Sequence, residues 1–475
     1  MAKTDNLTDF LVDVADAIRE KKGTTDPINP QNFSDEIRAF EIGGGGSASK
    51  WTGHADVIFF DYDGEEVYRY NKEDFLALSE LPSLPTHEGL IGQAWNWELE
   101  AAKQYVSENG KLIVGANYTT DDGTTRFYVY VKSSYTITLH FQLNGDTKNV
   151  TIDWGDNKTS AATSAINKIT HTYERFGYYC IRVSVAEGCE FVLGPSDYSS
   201  SNGLFLNCPS AVYKAEIGER TSIYLRSFMN CYALSIISLP SNLQGAIGSG
   251  TFGNTRSLKA LVVPKTITIL GSDSLSNNYA LKILSLSQDM TKTYGVYGCP
   301  SLLYLVIPPN AIYGTFEPSG SPLKWLVSPS TANRTETQKI SNNRNLEVAV
   351  LKDNNTTLSS ELFSGCYSLK VVELGDNIQT IDTKVFYQCY SLEKIVASPN
   401  LTAINSYAFY QNTALKYIDF SQCSQIPSLA STSAFSELPS NANFIIPDAL
   451  YEEWINATNW SAFPSKFVKA SEFNG

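Results

Sequence analysis

Leucine recurs through the second half of the chain with a near-constant step. Leu234, Leu258, Leu281, Leu302, Leu323, Leu346, Leu369, Leu392 and Leu415 stand 24, 23, 21, 21, 23, 23, 23 and 23 residues apart. A short apolar run follows most of them: LSIISLP, LKALVVP, LKILSL, LLYLVIP, LKVVEL and LKYIDF. Such runs predict one short strand per repeat. Phe228, Phe252, Phe363, Phe386 and Phe409 precede several of these anchors, and a less regular early unit surrounds NCPSAVYKAEI. A coil with one strand cannot bury its apolar face alone, so the coils must stack into a solenoid over about residues 200–446.

The preceding segments follow other periods. In residues 1–42, Leu7, Phe10, Leu11, Val14, Ala17 and Ile18 make one apolar stripe at helical spacing, stopped by Gly23. A second helix is predicted after Asn29 and Pro30, with Phe33, Ile37 and Phe40 on one face. Two such short helices bury too little to stand alone, so the stripe needs a sister chain or a docking partner. GGGGSAS then marks a tether at 43–50. Residues 51–132 predict a small α+β domain. VIFFDYDGEEVYRY reads as a hairpin about Asp63-Gly64, NWELEAAKQYVSEN as a helix, and LIVGANYTTDDGTTRFYVYV as a second hairpin about Asp122-Gly123. Residues 133–195 hold four alternating strands, in YTITLHFQL, NVTIDWGD, ITHTY and GYYCIRVSV. Residues 447–475 leave the repeat, and Trp454 and Trp460 are expected to cap the open end of the last coil.

Cysteine is the first candidate chemistry. Three residues before each anchor stand Cys231, Thr255, Asn278, Cys299, Gly320, Asn343, Cys366, Cys389 and Asn412. A metal ligand or redox partner could not be exchanged so freely, and no paired C-x-x-C spacing exists. A small buried side chain beside the loop backbone is expected instead. A Cys366–Cys389 bridge between adjacent coils is the competing reading.

Composition narrows the class. Charged residues are 18% of the 475, against 27 Tyr and 23 Phe, which suits a β-rich chain. The net charge of −13 argues against nucleic acid or an anionic membrane as partner. No run of 18 apolar residues predicts a membrane span, and the acidic amphipathic start lacks a signal-peptide core, which predicts assembly in a cytoplasm.

Three resemblances add to this reading. The repeats, with YAFYQNTALKYIDF as a clear instance, resemble the BspA-type leucine-rich repeats of bacterial surface proteins. DWGD followed by HTY and Gly-Tyr-Tyr resembles the polycystic-kidney-disease type of immunoglobulin-like sandwich, which implies Trp154 in a core and Asp153 and Asp156 shaping a turn. Residues 1–42, and DYDG, GLIGQAWNW and YTTDDGTTRFYV in the next segment, resemble modules of phage and prophage tail-associated proteins.

None of the four histidines lies in a zincin motif or near a G-x-S-x-G elbow, there is no P-loop, and DYDGEE fails the EF-hand spacing. No catalytic, cofactor or metal site is therefore expected. Trp95 and Trp97 alternate and read as core residues or, with one exposed, as a sugar platform. The expected function is binding, as a phage tail fibre or receptor-binding protein assembled in the host cytoplasm. Leu7, Phe10, Leu11, Val14 and Ile18 would dock it on tail, baseplate or other virion proteins, with a homotrimer as the oligomer considered. The two small domains would act as spacer. The solenoid would bind a bacterial surface glycan or protein, with Tyr224, Tyr294, Tyr304 and Tyr313 as exposed contacts. The alternatives are a bacterial cell-surface leucine-rich repeat adhesin and another virion structural or decoration protein.

Overall fold

The computed structural model describes residues 55–132, 136–194, 203–294, 296–313, 322–334 and 340–473. The predicted helical module, its stripe of Leu7, Phe10, Leu11, Val14 and Ile18, and the tether lie outside the described residues.

Strands β1 (Val57–Phe60), β2 (Glu66–Tyr70), β3 (Leu90–Trp95) and β4 (Leu112–Thr120) form one sheet in the order β2-β1-β4-β3. The β1–β2 hairpin turns at Asp63-Gly64, where Gly64 has φ +90. Helix α1 (Lys72–Leu76) is capped by the Asn71 side chain, which accepts from the Asp74 N–H. Helix α2 (Leu99–Asn109) ends at Gly110 in the left-handed conformation. Trp95 and Trp97 are both core residues. Trp95 donates its indole N–H to the Pro82 carbonyl at 2.7 Å, and Trp97 to the Leu286 carbonyl at 2.8 Å.

The second predicted hairpin does not form. Strand β4 already has β1 on one side and β3 on the other, so no edge is left for the segment after Asp122-Gly123. That segment, β5 (Thr125–Val131), crosses into the next unit and pairs antiparallel with β10 (Gly177–Val185). The boundary expected at 132 thus falls near Gly123. The other strands there are β6 (Thr136–Gly145), β7 (Val150–Asp153), β8 (Thr159–Ala162), β9 (Ile166–Thr172) and β11 (Cys189–Leu193). They make two sheets around a shared core that contains Phe127, Phe141, Trp154 and Phe191. Trp154 is fully buried, with His171 stacked on it at 4.7 Å. The His171 ring nitrogen meets Asp156 at 2.9 Å, and Asp153 accepts from the Gly155 N–H. His171 thus has a structural place in the turn.

Both sheets run on into the solenoid. Strand β5 also pairs with Val212–Glu216, which pairs with Ile236–Ser238, while β11 pairs with Thr221–Ile223. The buried side chains of the two sheets and of the coils form one continuous cluster. After this junction each coil carries two strands. The main ladder is a row of parallel strands in two sheets: Ala260–Val262 with Ile283–Ser285, and then Tyr304–Val306, Trp325–Ser328, Val348–Leu351, Val371–Leu374, Lys394–Val396 and Tyr417–Asp419. It ends on Asn443–Ile446 and Phe467–Lys469, so it runs past the expected limit at 446. A second ladder of two-residue strands, such as Thr380–Ile381 and Ala403–Ile404, follows the first around each coil. Helix α3 (Tyr451–Ile455) brings Trp454 against Phe420, and Trp460 packs on Phe435 and Phe444; both indoles are buried, as a cap requires.

Inside the coils, the position three before the anchor is buried wherever it is described. Several of its occupants do one job. The Asn278 side chain donates to the Phe252 carbonyl at 2.9 Å, the Cys366 thiol to Ile340 at 3.4 Å and the Cys389 thiol to Phe363 at 3.2 Å. Each reaches 26 residues back, to the preceding coil. Cys366 and Cys389 are free thiols, not a bridge. Phenylalanines stack beside them, Phe363 on Phe386 at 5.5 Å and Phe386 on Phe409 at 5.1 Å.

Candidate ligand-binding surface

Alternation along each main-ladder strand sends one side chain in and the next out. Leu261, Leu284, Leu305 and Leu326 point into the solenoid core. Their neighbours Ala260, Ile283, Tyr304, Val306, Trp325, Val327 and Val350 point outward, yet all are buried, in a second cluster shared with the α+β unit. That unit lies on the outer strand face. Strand β4 crosses the strands at 236–238, 260–262, 283–285 and 304–306. At Gly115 the approach is so close that a Cβ would stand 2.5 Å from Val262 Cγ1. The Asn96 amide donates to the Val263 and Ser285 carbonyls, and the Tyr105 hydroxyl to Ile307 at 2.7 Å. The expected spacer is therefore a cover, because β4 and α2 carry apolar faces that only the solenoid strands complete.

The cover stops at one residue. The Lys352 ammonium donates to the Glu108 carbonyl near the end of α2 at 2.7 Å and pairs with Glu373 at 3.1 Å. Beyond it the strand face is open. Register places Val371, Lys394 and Tyr417 in one row and Glu373, Val396 and Asp419 in the next. Val396 is 44% exposed, and Tyr417 is held edge-on by Phe473 at 5.0 Å. Glu393 and Lys416 form the rim at 2.6 Å, and that ammonium holds the Glu393 carboxyl below its usual range. Two rows across three strands, about 10 Å wide, offer an aliphatic centre between carboxylates and an ammonium. This surface can hold a chain segment of mixed character; it has no nucleophile–base pair.

The four tyrosines expected as contacts do not meet. Tyr224 is exposed and Tyr294 is half-buried, on coils well apart. Tyr304 and Tyr313 are buried and so are not surface contacts. Tyr304 packs against Phe60 and Trp325 under the cover, and burial pushes its phenol up. Tyr313 donates to Asp353 at 2.6 Å and shares a hydrogen bond with Ser328. The open rows carried a signal that sequence reading missed: VVEL, KIV and YID place charges at outward positions, where the outward positions of ALV, YLV and WLVS are apolar.

Comparison with known proteins agrees with the coil geometry. The model of the BspA type leucine-rich repeat region matches residues 200–318 and 337–453, in six copies. Similar solved structures include a leucine-rich repeat protein from Bacteroides ovatus, 16% identical, covering 60% of this chain and 97% of that one at a TM-score of 0.28. Another is a leucine-rich cell surface protein from Faecalibacterium prausnitzii, 17% identical, covering 57% of this chain and 94% of that one at a TM-score of 0.26. A third, a leucine-rich repeat protein from Eubacterium ventriosum, is 14% identical and covers 64% and 95% at a TM-score of 0.24. Among curated proteins none matches this chain. Residues 200–318 and 337–453 are BspA-type leucine-rich repeats, and the solenoid is the fold that they build.

Proposed function

We propose that this is a recognition protein of the bacterial cell surface, an adhesin that holds a macromolecular partner on the open strand face and catalyses no reaction. The observation that supports it is the change at Lys352. Outward side chains on the first side are apolar and covered; Val371, Glu373, Lys394, Val396, Tyr417 and Asp419 on the other side lie beyond that cover, half-buried to exposed, and are mixed. The BspA-type repeats support the surface reading. The second reading is a phage tail fibre or receptor-binding protein, docked through Leu7, Phe10, Leu11, Val14 and Ile18. The resemblance of residues 1–42 to tail-associated modules favours it.

Two measurements test these readings. Immunogold labelling of the producing culture should place the chain on cell envelopes; label confined to phage particles would replace the adhesin with the tail fibre. Binding of the purified full chain to target cells should fall at least tenfold in Val396→Asp. Unchanged binding in a folded V396D protein would move the site off this face.

A further inference from the structure

In two tracts of the described coils, the turn two residues before the anchor forms a largely exposed column on a different edge of the solenoid. In one tract the Arg256 guanidinium lies 4.9 Å from the Tyr232 ring centre and 5.6 Å from that of Tyr279, sandwiched between coils. In a second, Arg344 sits 5.3 Å from the Tyr367 ring, which stacks on Tyr390 at 5.1 Å. Tyr232, Arg256, Tyr279, Arg344 and Tyr390 are all exposed. Beside this column, four residues before the anchor, runs a column of amides. Asn254 donates to Asn230 at 3.0 Å and Gln388 to Gln411 at 2.8 Å. Those positions have left-handed backbones, with φ 59 at Gln388 and at Gln411. Asparagine or glycine is the usual occupant of such a position, so glutamine is there at some conformational cost.

The charges on this edge are not balanced. Glu361 is paired with Lys384, Asp273 accepts from the Tyr297 hydroxyl, and Glu437 accepts from Tyr410 and Gln411. Among the described residues Arg256 and Arg344 face only tyrosine rings, although the chain as a whole carries −13. Two guanidiniums are thus presented four coils apart, about 19 Å at the usual inter-strand spacing. Stacking fixes them in place at low entropic cost. Planar groups, hydroxyls and amides recur at the coil step within each of the two tracts, 230–279 and 342–390, with Pro300 between them. A surface that repeats by translation matches a ligand that repeats by translation, which a folded protein partner does not.

We propose that this turn edge binds an anionic polysaccharide lying along the solenoid axis, with Arg256 and Arg344 taking its acidic groups and the tyrosine hydroxyls and amides its sugar hydroxyls. The site is separate from the strand face, so either can fail alone.

The test uses the full chain with two immobilised anionic polymers, polygalacturonate as a uronate source and ribitol-phosphate teichoic acid as a phosphate source, with neutral dextran as reference. Binding to at least one anionic polymer, well above dextran and weakened by salt, is expected. Arg256→Gln with Arg344→Gln should reduce it at least tenfold, and V396D should leave it unchanged. Thermal melts equal to the parent's show that the arginine variants remain folded. Arg256→Lys with Arg344→Lys keeps the charge and should restore part of the binding. The proposal is overturned if neither polymer is retained above dextran, or if the folded Gln double variant binds as the parent does. It is also overturned if attachment to cells depends on these arginines but survives removal of cell-surface glycans, which would mark a protein ligand.

Discussion

The thiol of Cys389 donates to the carbonyl oxygen of Phe363, 3.2 Å away on the preceding coil, and Asn278 makes the same bond to Phe252. A sulfur and an amide thus fill one role, adding a bond from the next coil to a buried carbonyl that already accepts from its own turn.

Cys366→Asn should therefore fold, with a loss of stability within about 1–2 kcal/mol in denaturant titrations. The amide can take over the bond that Cys366 makes to Ile340. A variant that fails to fold, or a parent that melts on adding EDTA, would show that the cysteine does something else.

Buried thiols also make stability pH-dependent. Burial pushes Cys299, Cys366 and Cys423 from 9.0 up to about 12. Their folded-state values lie above their unfolded ones, so the unfolded chain loses these protons first as pH rises. The stabilisation is fully present below about pH 9 and is lost as pH climbs toward 12. Denaturant midpoints should accordingly hold near neutrality and fall above about pH 9. At pH 8 these thiols should stay silent to a disulfide reagent until denaturant is added.

Gly115→Val should break the fit of β4 on the solenoid, because the new Cβ would meet Val262 Cγ1 at 2.5 Å. Overpacking of this kind costs roughly 1–3 kcal/mol. Limited proteolysis should then cut near Gly123, and fluorescence from Trp325 should shift to longer wavelength. A variant with parent-like cleavage and emission would mean that the unit sits on the strands without needing this contact.

Deleting residues from Pro447 onward should destabilise the last coils by several kcal/mol. The lost burial of Trp454 and Trp460 amounts to ~150–250 Å² each at ~25 cal/mol per Å². Phe420, Phe435 and Phe444 would be left facing water. A truncated chain that stays monomeric with an unchanged melting temperature would show that the cap is dispensable.

The coils were legible in the sequence because each one repeats its own local rules: anchor leucine, stacked phenylalanine, buried donor. The two capping tryptophans were legible for a similar reason, since they fill the gap that the open last coil defines, whereas the core place of Trp154 was expected from the resemblance that DWGD and HTY carry. The crossing of β5 was not. Asp122-Gly123 is a sound turn signal, with Gly123 at φ +71, but whether a turn returns to its own sheet depends on which edges are already taken. The cover over the strand face was hidden for another reason. Asn96 and Ser285 lie 189 residues apart in the chain, and only the apolar outward positions of the first strands hint that something lies on them. Tyr304 belongs to that hidden set: its spacing is right for a surface contact, and only the cover removes it from solvent.

Lys352 also divides the chain into a part whose length is fixed and a part whose length is free. A duplicate of residues 369–391 spliced after Ser391 would add one rung, about 4.8 Å, to the open face and leave the docked unit untouched. The same splice before Lys282 would carry Ser285 a full step away from Asn96, which must reach Val263 and Ser285 together. Coils can therefore be added on the far side of Lys352 without disturbing the docked unit, and the length of the open face can change while its foundation stays in register.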